Sequence, residues 1–187
     1  SDVKAEFSLF DTAFLDEISK MKEKNIAVEL LKKLLAEKVA LYQKTNIVQS
    51  EKFSDLLNRS LSNYLKGLLT NEEVIQELLQ LAKDIASADS AANELGLTPE
   101  EKSFYDALTK PQAVHDFYSN EELVAMTKEL TDSLRKNRTS DWQKKESARA
   151  GMRRMIKHLL KKCHYPSEEA ANALETLIKQ CEQWTDN

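Results

Sequence analysis

The chain has 187 residues, a length that suits one or two small compact units. Its three glycines and three prolines are too few for strand-rich folds with many tight turns, and too few for a glycine-rich loop around a phosphate. The formal net charge of −4 is the sum of a positively charged stretch and a negatively charged remainder, so the charge is distributed unevenly along the chain.

Apolar residues recur at helical spacing along the whole chain and predict an all-α fold, a multi-helix bundle of about seven to eight helices. The amino-terminal part contains three predicted helices, over about residues 12–21, 25–43 and 51–69. We assign residues 1–69 to a helical segment that precedes a C-terminal module over residues 70–187. A softer boundary is expected near residues 88–98.

Capping boxes mark the starts of the next three predicted helices, at Thr70–Glu73, Thr98–Glu101 and Ser119–Glu122. In each box the first hydroxyl can accept from the backbone N–H three residues later, while the glutamate reaches back to the first residue. Gly96 and Pro111 supply stop signals for the first two of these helices.

Residues 141–163 predict a helix that is both amphipathic and basic. Asp141 is placed to cap it, and Trp142 is placed to fix the angle at which the chain enters it. The Tyr165-Pro166 step ends it, after which Ser167 is expected to cap a last helix. One third of the helical wheel is apolar and should be buried: Ala148, Met152, Met155, Ile156 and Leu159.

Between Arg135 and Lys162 the chain carries eleven basic and two acidic residues, a local charge of +9, whereas the remainder holds 16 basic and 29 acidic residues. Four cations of the basic helix follow one another at i,i+4 and form a ridge: Arg149, Arg153, Lys157 and Lys161. Like charges at this spacing repel by about 0.2–0.5 kcal/mol per pair, so we expect an anion to offset them. With Arg154, the ridge is our candidate for contacts with a partner or with DNA.

Three kinds of anion could neutralise the positive charge of this ridge. Acidic helices of the same chain, for example around Asp84 or Glu168, would neutralise it and make the module a structural brace. A partner protein is the second candidate, and the phosphates of a DNA duplex are the third. Specific reading of DNA bases is not supported, because few aromatic residues alternate with the cations for single-strand stacking and no zinc-finger spacing occurs.

Signatures of catalysis are weak. No phosphate-binding loop motif occurs, so we expect no nucleotide cofactor in this chain. His115 is expected in a loop, His158 lies among lysines, and Cys163 is expected to act as a small apolar residue. Glu100 and Lys102 match only the tail of a Mg²⁺-nuclease pattern. We therefore expect no catalytic, cofactor-binding or metal-binding residues.

Two rings and a leucine on the short helix after Thr98 are expected to anchor it. Phe104 and Leu108 share one face of that helix, and Tyr105 adds the second ring. As for Trp142, we expect core packing and not ligand contact.

The chain contains no signal peptide and no apolar run near the length of a membrane span, and its two cysteines form no metal-binding pair. These features favour the reducing cytoplasm. The chain begins with Ser1-Asp2 and not with a methionine, so we expect it to be part of a longer protein.

An ordered set of motifs resembles one protein family. In chain order the set comprises Thr70–Leu79 with Leu81–Lys83, Leu95–Thr98, Phe104–Leu108, Thr139–Trp142, Arg149-Ala150, Arg153, Lys157–Leu160 and Tyr165-Pro166. Together they are similar to the C-terminal region of the restriction (motor) subunit of type I restriction enzymes, from about Leu68 to the end of the chain. The sequence departs from the family pattern at Lys102-Ser103 and at Ser167-Glu168, where packing details are expected to differ.

The resemblance implies a role. In that family the parent subunit carries an amino-terminal Mg²⁺-dependent nuclease domain and two ATP-driven, helicase-like motor domains, so ATP and Mg²⁺ are expected in those domains and not in this chain. The helical tail docks the motor onto the modification methyltransferase, while a separate specificity subunit recognises the DNA sequence. The resemblance thus implies a noncatalytic docking module with these two subunits as partners, DNA as a further candidate partner, and no membrane.

Overall fold

The computed structural model of the protein describes residues 11–139 and 141–185. The fold is all-α, as predicted, and these residues contain no β-strand. They form nine α-helices: α1 (Thr12–Ser19), α2 (Lys24–Thr45), α3 (Ile47–Leu65), α4 (Asn71–Leu95), α5 (Pro99–Leu108), α6 (Gln112–Phe117), α7 (Asn120–Asn137), α8 (Glu146–Lys162) and α9 (Ser167–Thr185). A 3₁₀ turn, Trp142–Lys144, precedes α8.

Helix α6 was not predicted, and the expectation that His115 lies in a loop is wrong. The predicted break is present, because α5 ends before the Lys110-Pro111 step. The chain then forms a second short helix at once, which Val114 anchors because its side chain is fully buried. His115 lies on α6 with an exposed side chain.

The three predicted capping boxes are present. The Thr70 hydroxyl accepts from the Glu73 N–H at 3.1 Å, and the Glu73 carboxylate accepts from the Thr70 N–H at 3.0 Å. The same reciprocal bonds start α5 and α7, at Thr98–Glu101 and Ser119–Glu122. Each box satisfies N–H groups that a first helical turn leaves without partners, and so fixes where the helix begins.

Helix α3 begins and ends earlier than predicted, because two local signals were missed. The Asn46 side chain accepts from the Gln49 N–H at 3.1 Å and caps the start of the helix. At the other end Gly67 has a φ of 77°, and the Leu68 N–H donates to the Asn63 carbonyl at 2.9 Å. A glycine without a Cβ suits this left-handed helix stop.

The basic helix begins later than predicted. Asp141 has a φ of 60° and its side chain makes no cap hydrogen bond. The prediction that Asp141 caps the helix is therefore wrong, because a capping residue needs an extended backbone. The chain first passes through the 3₁₀ turn, and α8 starts only at Glu146. Trp142 is fully buried, as predicted.

The described residues divide into two compact units. The first unit comprises residues through 41 together with 50–91, and the second comprises residues 42–49 together with those from 92 onward. The chain passes from one unit to the other after residues 41, 49 and 91, and the domain boundary that we placed after residue 69 stays a prediction. The chain is continuous helix from Asn71 to Leu95, and the capping box at residue 70 marks the start of this helix.

The first unit contains α1 and most of α2, α3 and α4. Large apolar side chains are fully buried on these helices: Leu31, Leu35, Phe53, Leu78 and Ile85. Hydrogen bonds link the helix ends, since the Tyr64 hydroxyl donates to the Asn71 side chain, which in turn donates to Asn25 at 3.1 Å. This unit carries none of the residues that we predicted to contact a partner.

The second unit has a core built from α5, α7, α8 and α9. Its fully buried side chains include Phe104, Leu108, Leu123, Leu134, Trp142, Ile156 and Leu177. Tyr105, at 8% exposure, belongs to the same core, so the predicted anchors of the short helix are confirmed. The buried Tyr165 hydroxyl donates to the Leu108 carbonyl at 2.7 Å, and burial raises the pKa of this phenol. Tyr165, with Pro166 beside it, therefore ties the end of α8 to the end of α5.

Exposed large apolar side chains among the described residues include Ile26, Leu41, Leu65, Leu68 and Phe117. Among the helices described, none combines the length and the apolar character that crossing a lipid bilayer would require.

Candidate docking surface on the basic helix

Helix α8 packs one face into the core of the second unit. Met152, Ile156 and Leu160 are buried, at 2%, 0% and 4% exposure. Three further side chains pack partly buried against the same core: Ala148, Met155 and Leu159. The predicted apolar face thus lies where expected, but its centre is an i,i+4 row that includes Leu160, which the prediction omitted.

The cations that begin beside this apolar face do not stay beside it. Four residues advance an α-helix by about 400°, so each i,i+4 step turns the side-chain direction by about 40°. From Arg149 to Lys161 the direction therefore changes by about 120°, from the flank of the buried face to the opposite side. A single ridge in the sequence becomes two regions on the structure.

Arg149 and Arg153 make up the first region, which we call the paired cations. Arg149 donates to the Glu182 carboxylate at 2.6 Å and to the Gln143 carbonyl at 3.2 Å. Arg153 donates through both terminal nitrogens to both oxygens of Glu175, a bidentate geometry. This hydrogen bond raises the pKa of Arg153 and lowers the pKa of the Glu175 carboxyl.

The two glutamates reach α8 because of their spacing in α9. Glu175 and Glu182 are seven residues apart, a step that turns a helix by only about 20°, so both face α8. The two ion pairs also show that α9 runs antiparallel to α8. One turn beyond Arg153 stands Lys157, but one turn back from Glu175 stands Ala171, which carries no charge.

The other flank of α8 is neutralised from α7. Lys162 donates to the Glu129 carboxylate at 2.8 Å, and this hydrogen bond raises the pKa of Lys162. Both flanks of α8 therefore meet a carboxylate from a neighbouring helix, whereas its outer side meets none among the described residues.

Arg154, Lys157 and Lys161 lie on this outer side, and we call them the basic face. Their side chains are exposed, and no carboxylate of the described residues makes an ion pair with any of them. Measured around the helix from Arg149, Lys157 and Lys161 point at about 80° and 120° and Arg154 at about 140°, so the three share one side. His158 is exposed next to them.

Of the three alternatives for the ridge, acidic residues of the same chain supply the anion for Arg149 and Arg153, although these acids are Glu182 and Glu175 and not those around Asp84 or Glu168. The physical reason is the 40° turn per step, which leaves only the first two cations within reach of α9. Arg154, Lys157 and Lys161 are exposed and make no ion pair with the described residues, so a partner protein and DNA stay open as alternatives for these three. Contact of any of these five with a partner or with DNA stays a prediction.

Other cations of the basic stretch are also paired. Arg135 and Arg138 both donate to Glu100, at 3.3 Å and 3.4 Å, and Lys144 lies 3.8 Å from Asp141. Together with Arg149, Arg153 and Lys162, six of the eleven cations thus have a carboxylate partner in the chain. The sequence overstated the free positive charge because it did not show which acids lie nearby.

A buried polar cluster around Asp106 was missed altogether. Lys102 and Asp106 form an ion pair one turn apart on α5, at 8% and 7% exposure. The same carboxylate accepts from the Asn46 side chain at 2.8 Å and from the Gln49 side chain at 2.9 Å. These donors offset the desolvation of the buried charge. Sequence spacing could not connect Asp106 with residues that lie some 60 positions earlier.

Gln180 of α9 completes this cluster. Its side-chain oxygen accepts from the Ile47 N–H at 2.8 Å, and its side-chain nitrogen donates to the Thr45 carbonyl at 3.0 Å. One amide therefore satisfies the last carbonyl of α2 and the first N–H of α3, groups that helix ends leave without partners. Gln180 is fully buried.

Glu100 and Lys102, which match the tail of a nuclease pattern in the sequence, both make ion pairs within the chain. Glu100 accepts from Arg135 and Arg138, while Lys102 is held by Asp106. Across the described residues, no group of three or more His, Cys, Asp or Glu side chains could hold a metal ion. Both residues are therefore committed to structural partners.

The two free cysteines occupy different surroundings. Cys181 is fully buried, and burial raises its pKa to about 11. Cys163 is half-buried, and burial raises its pKa as well, while its carbonyl accepts from the Tyr118 hydroxyl at 2.6 Å. Because a raised pKa leaves little thiolate at neutral pH, neither thiol is an activated nucleophile.

Comparison with known proteins places these features in a family. Residues 2–187 match the family described as "Type I restriction enzyme HindI endonuclease subunit-like, C-terminal". The chain belongs to this family. The match covers the first unit as well as the second, so the expected start of the resemblance near Leu68 is wrong. The motifs of the first unit are too weak to have been noticed individually.

Two curated relatives support the assignment. The chain is 33% identical over 178 residues to the Type I restriction enzyme HindI endonuclease subunit of Haemophilus influenzae, which covers 95% of this chain and 17% of the relative. It is 31% identical over 160 residues to the putative type I restriction enzyme MjaIXP endonuclease subunit of Methanocaldococcus jannaschii, covering 85% of this chain and 15% of that protein. No solved structure matches the chain. Restriction-modification is therefore the context of this type I restriction subunit region.

Proposed function

We propose that this chain is a noncatalytic assembly module that docks the motor subunit of an ATP-dependent type I restriction endonuclease onto its modification methyltransferase. The chain spans only 17% and 15% of the two curated relatives. In this proposal ATP hydrolysis and Mg²⁺-dependent DNA cleavage belong to other parts of the parent subunit. The specificity subunit completes the complex, which acts in the cytoplasm.

The basic face carries the proposal. A helix that packs one face into the core and receives carboxylates on both flanks has no internal need for three more cations. Arg154 and Lys161 are seven residues apart, so the row they form with Lys157 is about 10 Å long. A second protein that presents carboxylates over this length would complement it.

A protein partner fits this short row better than a long polyanion does. Charged pairs at the centre of an interface can be strong, and arginine is enriched among the residues that dominate binding. Arg154 is the arginine of the basic face, and it is therefore the first residue to test. The paired cations are left out of the proposed contact, because Glu175 and Glu182 already hold them.

The test is co-elution of the chain with the modification methyltransferase of the same restriction system, at low salt. We expect the triple variant Arg154→Glu, Lys157→Glu and Lys161→Glu to lose co-elution while its helical circular dichroism stays unchanged. Because charge complementarity at an interface is weakened by ions, binding of the unaltered chain should also weaken as salt is raised.

A matched control reverses two lysines and one arginine of the first unit: Lys32, Lys33 and Arg59. These side chains are also exposed, and none of them has an ion-pair partner among the described residues. The control variant should co-elute like the unaltered chain. Retained co-elution of the Arg154, Lys157 and Lys161 variant would remove the proposed docking role of the basic face.

Duplex DNA is the second candidate partner, favoured by the same three free cations. It predicts that the isolated chain retards a long duplex in a gel, with a log–log salt slope of about −2.7 for three phosphate contacts. The variant of the basic face should then lose retardation. If neither methyltransferase nor DNA binds the chain, the structural brace becomes the favoured role, supported by the ion pairs of the paired cations.

A further inference from the structure

Two acidic side chains of α9 limit how far the positive surface extends. Without Glu175 and Glu182, the cations of α8 from Arg149 to Lys161 would span twelve residues, about 18 Å of helix. With them, the free cations span only about 10 Å. The acids therefore remove the amino-terminal half of the row from solution.

We propose that Glu175 and Glu182 are specificity-determining residues that keep the basic helix from binding duplex DNA. This inference rests on the proposed function, because it takes a protein and not a nucleic acid as the partner of the basic face. The carboxylates of Glu175 and Glu182 compete with DNA phosphates for the same donors, because they already accept hydrogen bonds from the guanidinium groups of Arg149 and Arg153.

The affinity for duplex DNA increases with the length of a cationic row more than the affinity for a folded protein partner does. A duplex carries one charge per about 1.7 Å of its axis, so each further exposed cation finds another phosphate. A folded partner offers a fixed patch, and cations beyond that patch gain nothing. Shortening the row therefore weakens nonspecific DNA binding and leaves docking on the basic face intact.

The geometry allows the paired cations to be released. The side chains of Arg149 and Arg153 are 37% and 34% exposed, so both guanidinium groups lie at the surface and not in the core. Their long stems can carry the charge outward once the carboxylates are neutral. Glutamine keeps the shape of glutamate without its charge, so Glu175→Gln with Glu182→Gln isolates the electrostatic effect.

The experiment measures retardation of a long DNA duplex by the complete chain across a series of salt concentrations. For the unaltered chain we expect a log–log slope no steeper than about −2.7, because three cations of α8 have no carboxylate partner among the described residues. For Glu175→Gln with Glu182→Gln we expect a slope near −4.5 and affinity at least about tenfold higher at about 50 mM salt, because five cations are then available. Glu175→Gln alone should give an intermediate slope.

The control removes the same number of charges elsewhere on the second unit. Glu121 and Asp132 of α7 are exposed and have no ion-pair partner among the described residues, so Glu121→Gln with Asp132→Asn changes the net charge equally without releasing a cation. This control should bind DNA like the unaltered chain. An equal gain in the control would overturn the inference, because net charge would explain it.

An unchanged slope in the Glu175 and Glu182 variant would also overturn the inference, as would a slope already near −4.5 for the unaltered chain. These outcomes are separate from co-elution with the methyltransferase, which decides the docking role. The docking proposal and the inference about Glu175 and Glu182 can therefore fail independently of each other.

Discussion

Lys102 of α5 and Lys157 of α8 are both helix lysines of the second unit, yet they differ in burial and in ion pairing. Lys102 is 8% exposed and bound to Asp106, whose carboxylate also accepts from Asn46 and Gln49. Lys157 is exposed and makes no ion pair with the described residues. The cluster around Lys102 therefore serves the fold, whereas the face around Lys157 is free to serve a contact.

This difference determines what each charge does when it is changed. A buried ion pair is costly to break, because the charge that remains has lost its water without keeping its partner. An exposed cation contributes little to stability, because water screens it in the folded and the unfolded chain alike. Substitutions in the two regions should accordingly separate stability from binding.

The largest effect is expected for Asp106→Ala. It leaves the Lys102 ammonium buried without an anion and removes the acceptor of two side-chain amides. We expect the free energy of unfolding in urea to fall by about 3–5 kcal/mol. The control Asp132→Ala, at an exposed position of α7, should change it by no more than about 0.5 kcal/mol. Equal losses in the two variants would contradict the distinction between buried and exposed charges.

Local signals made much of the fold predictable. A capping box such as Thr98–Glu101 acts over three residues, so the sequence alone places the start of α5. Apolar spacing likewise identified the all-α class and most of the buried face of α8. Family motifs added the restriction-modification context, which no single residue could supply.

The tertiary charge pairing was not predictable in the same way. Gln180 meets the junction of α2 and α3 across more than 130 residues, and no local pattern marks such a partner. The pairing of Arg149 and Arg153 depends on which residues of α9 come to lie beside α8. Periodicity gives the direction of a side chain but not the neighbour that it meets.

A smaller loss of stability is expected for Gln180→Leu. The leucine keeps the volume but leaves the Ile47 N–H and the Thr45 carbonyl without their partner. We expect the free energy of unfolding to fall by about 2–3 kcal/mol, with faster hydrogen exchange at the Ile47 amide. Gln183→Leu, on the same helix, is the control and should leave that amide protected. Unchanged hydrogen exchange at Ile47 in the Gln180 variant would show that the side-chain amide of Gln180 does not stabilise the junction of α2 and α3.

Reversal of the basic face should have almost no effect on stability. In the variant Arg154→Glu, Lys157→Glu and Lys161→Glu, only exposed cations without carboxylate partners among the described residues are changed. We expect the free energy of unfolding to change by no more than about 0.5 kcal/mol, because neither burial nor an ion pair is lost. A loss of more than about 2 kcal/mol, measured in urea, would place these cations with Lys102 as parts of the fold.

The smallest effect concerns the titration of Glu175. The hydrogen bond from Arg153 lowers the pKa of this carboxyl, so the ion pair stabilises the fold above the ordinary carboxyl pKa and stops doing so as pH falls through the lowered value. NMR titration should give a higher Glu175 pKa in Arg153→Gln than in the unaltered chain, whereas Lys157→Gln should leave it nearly unchanged. An equal shift in both variants would mean that Glu175 responds to the whole positive field of α8. A shift confined to the Arg153 variant would show that one bidentate partner dominates, as the division between paired cations and basic face requires.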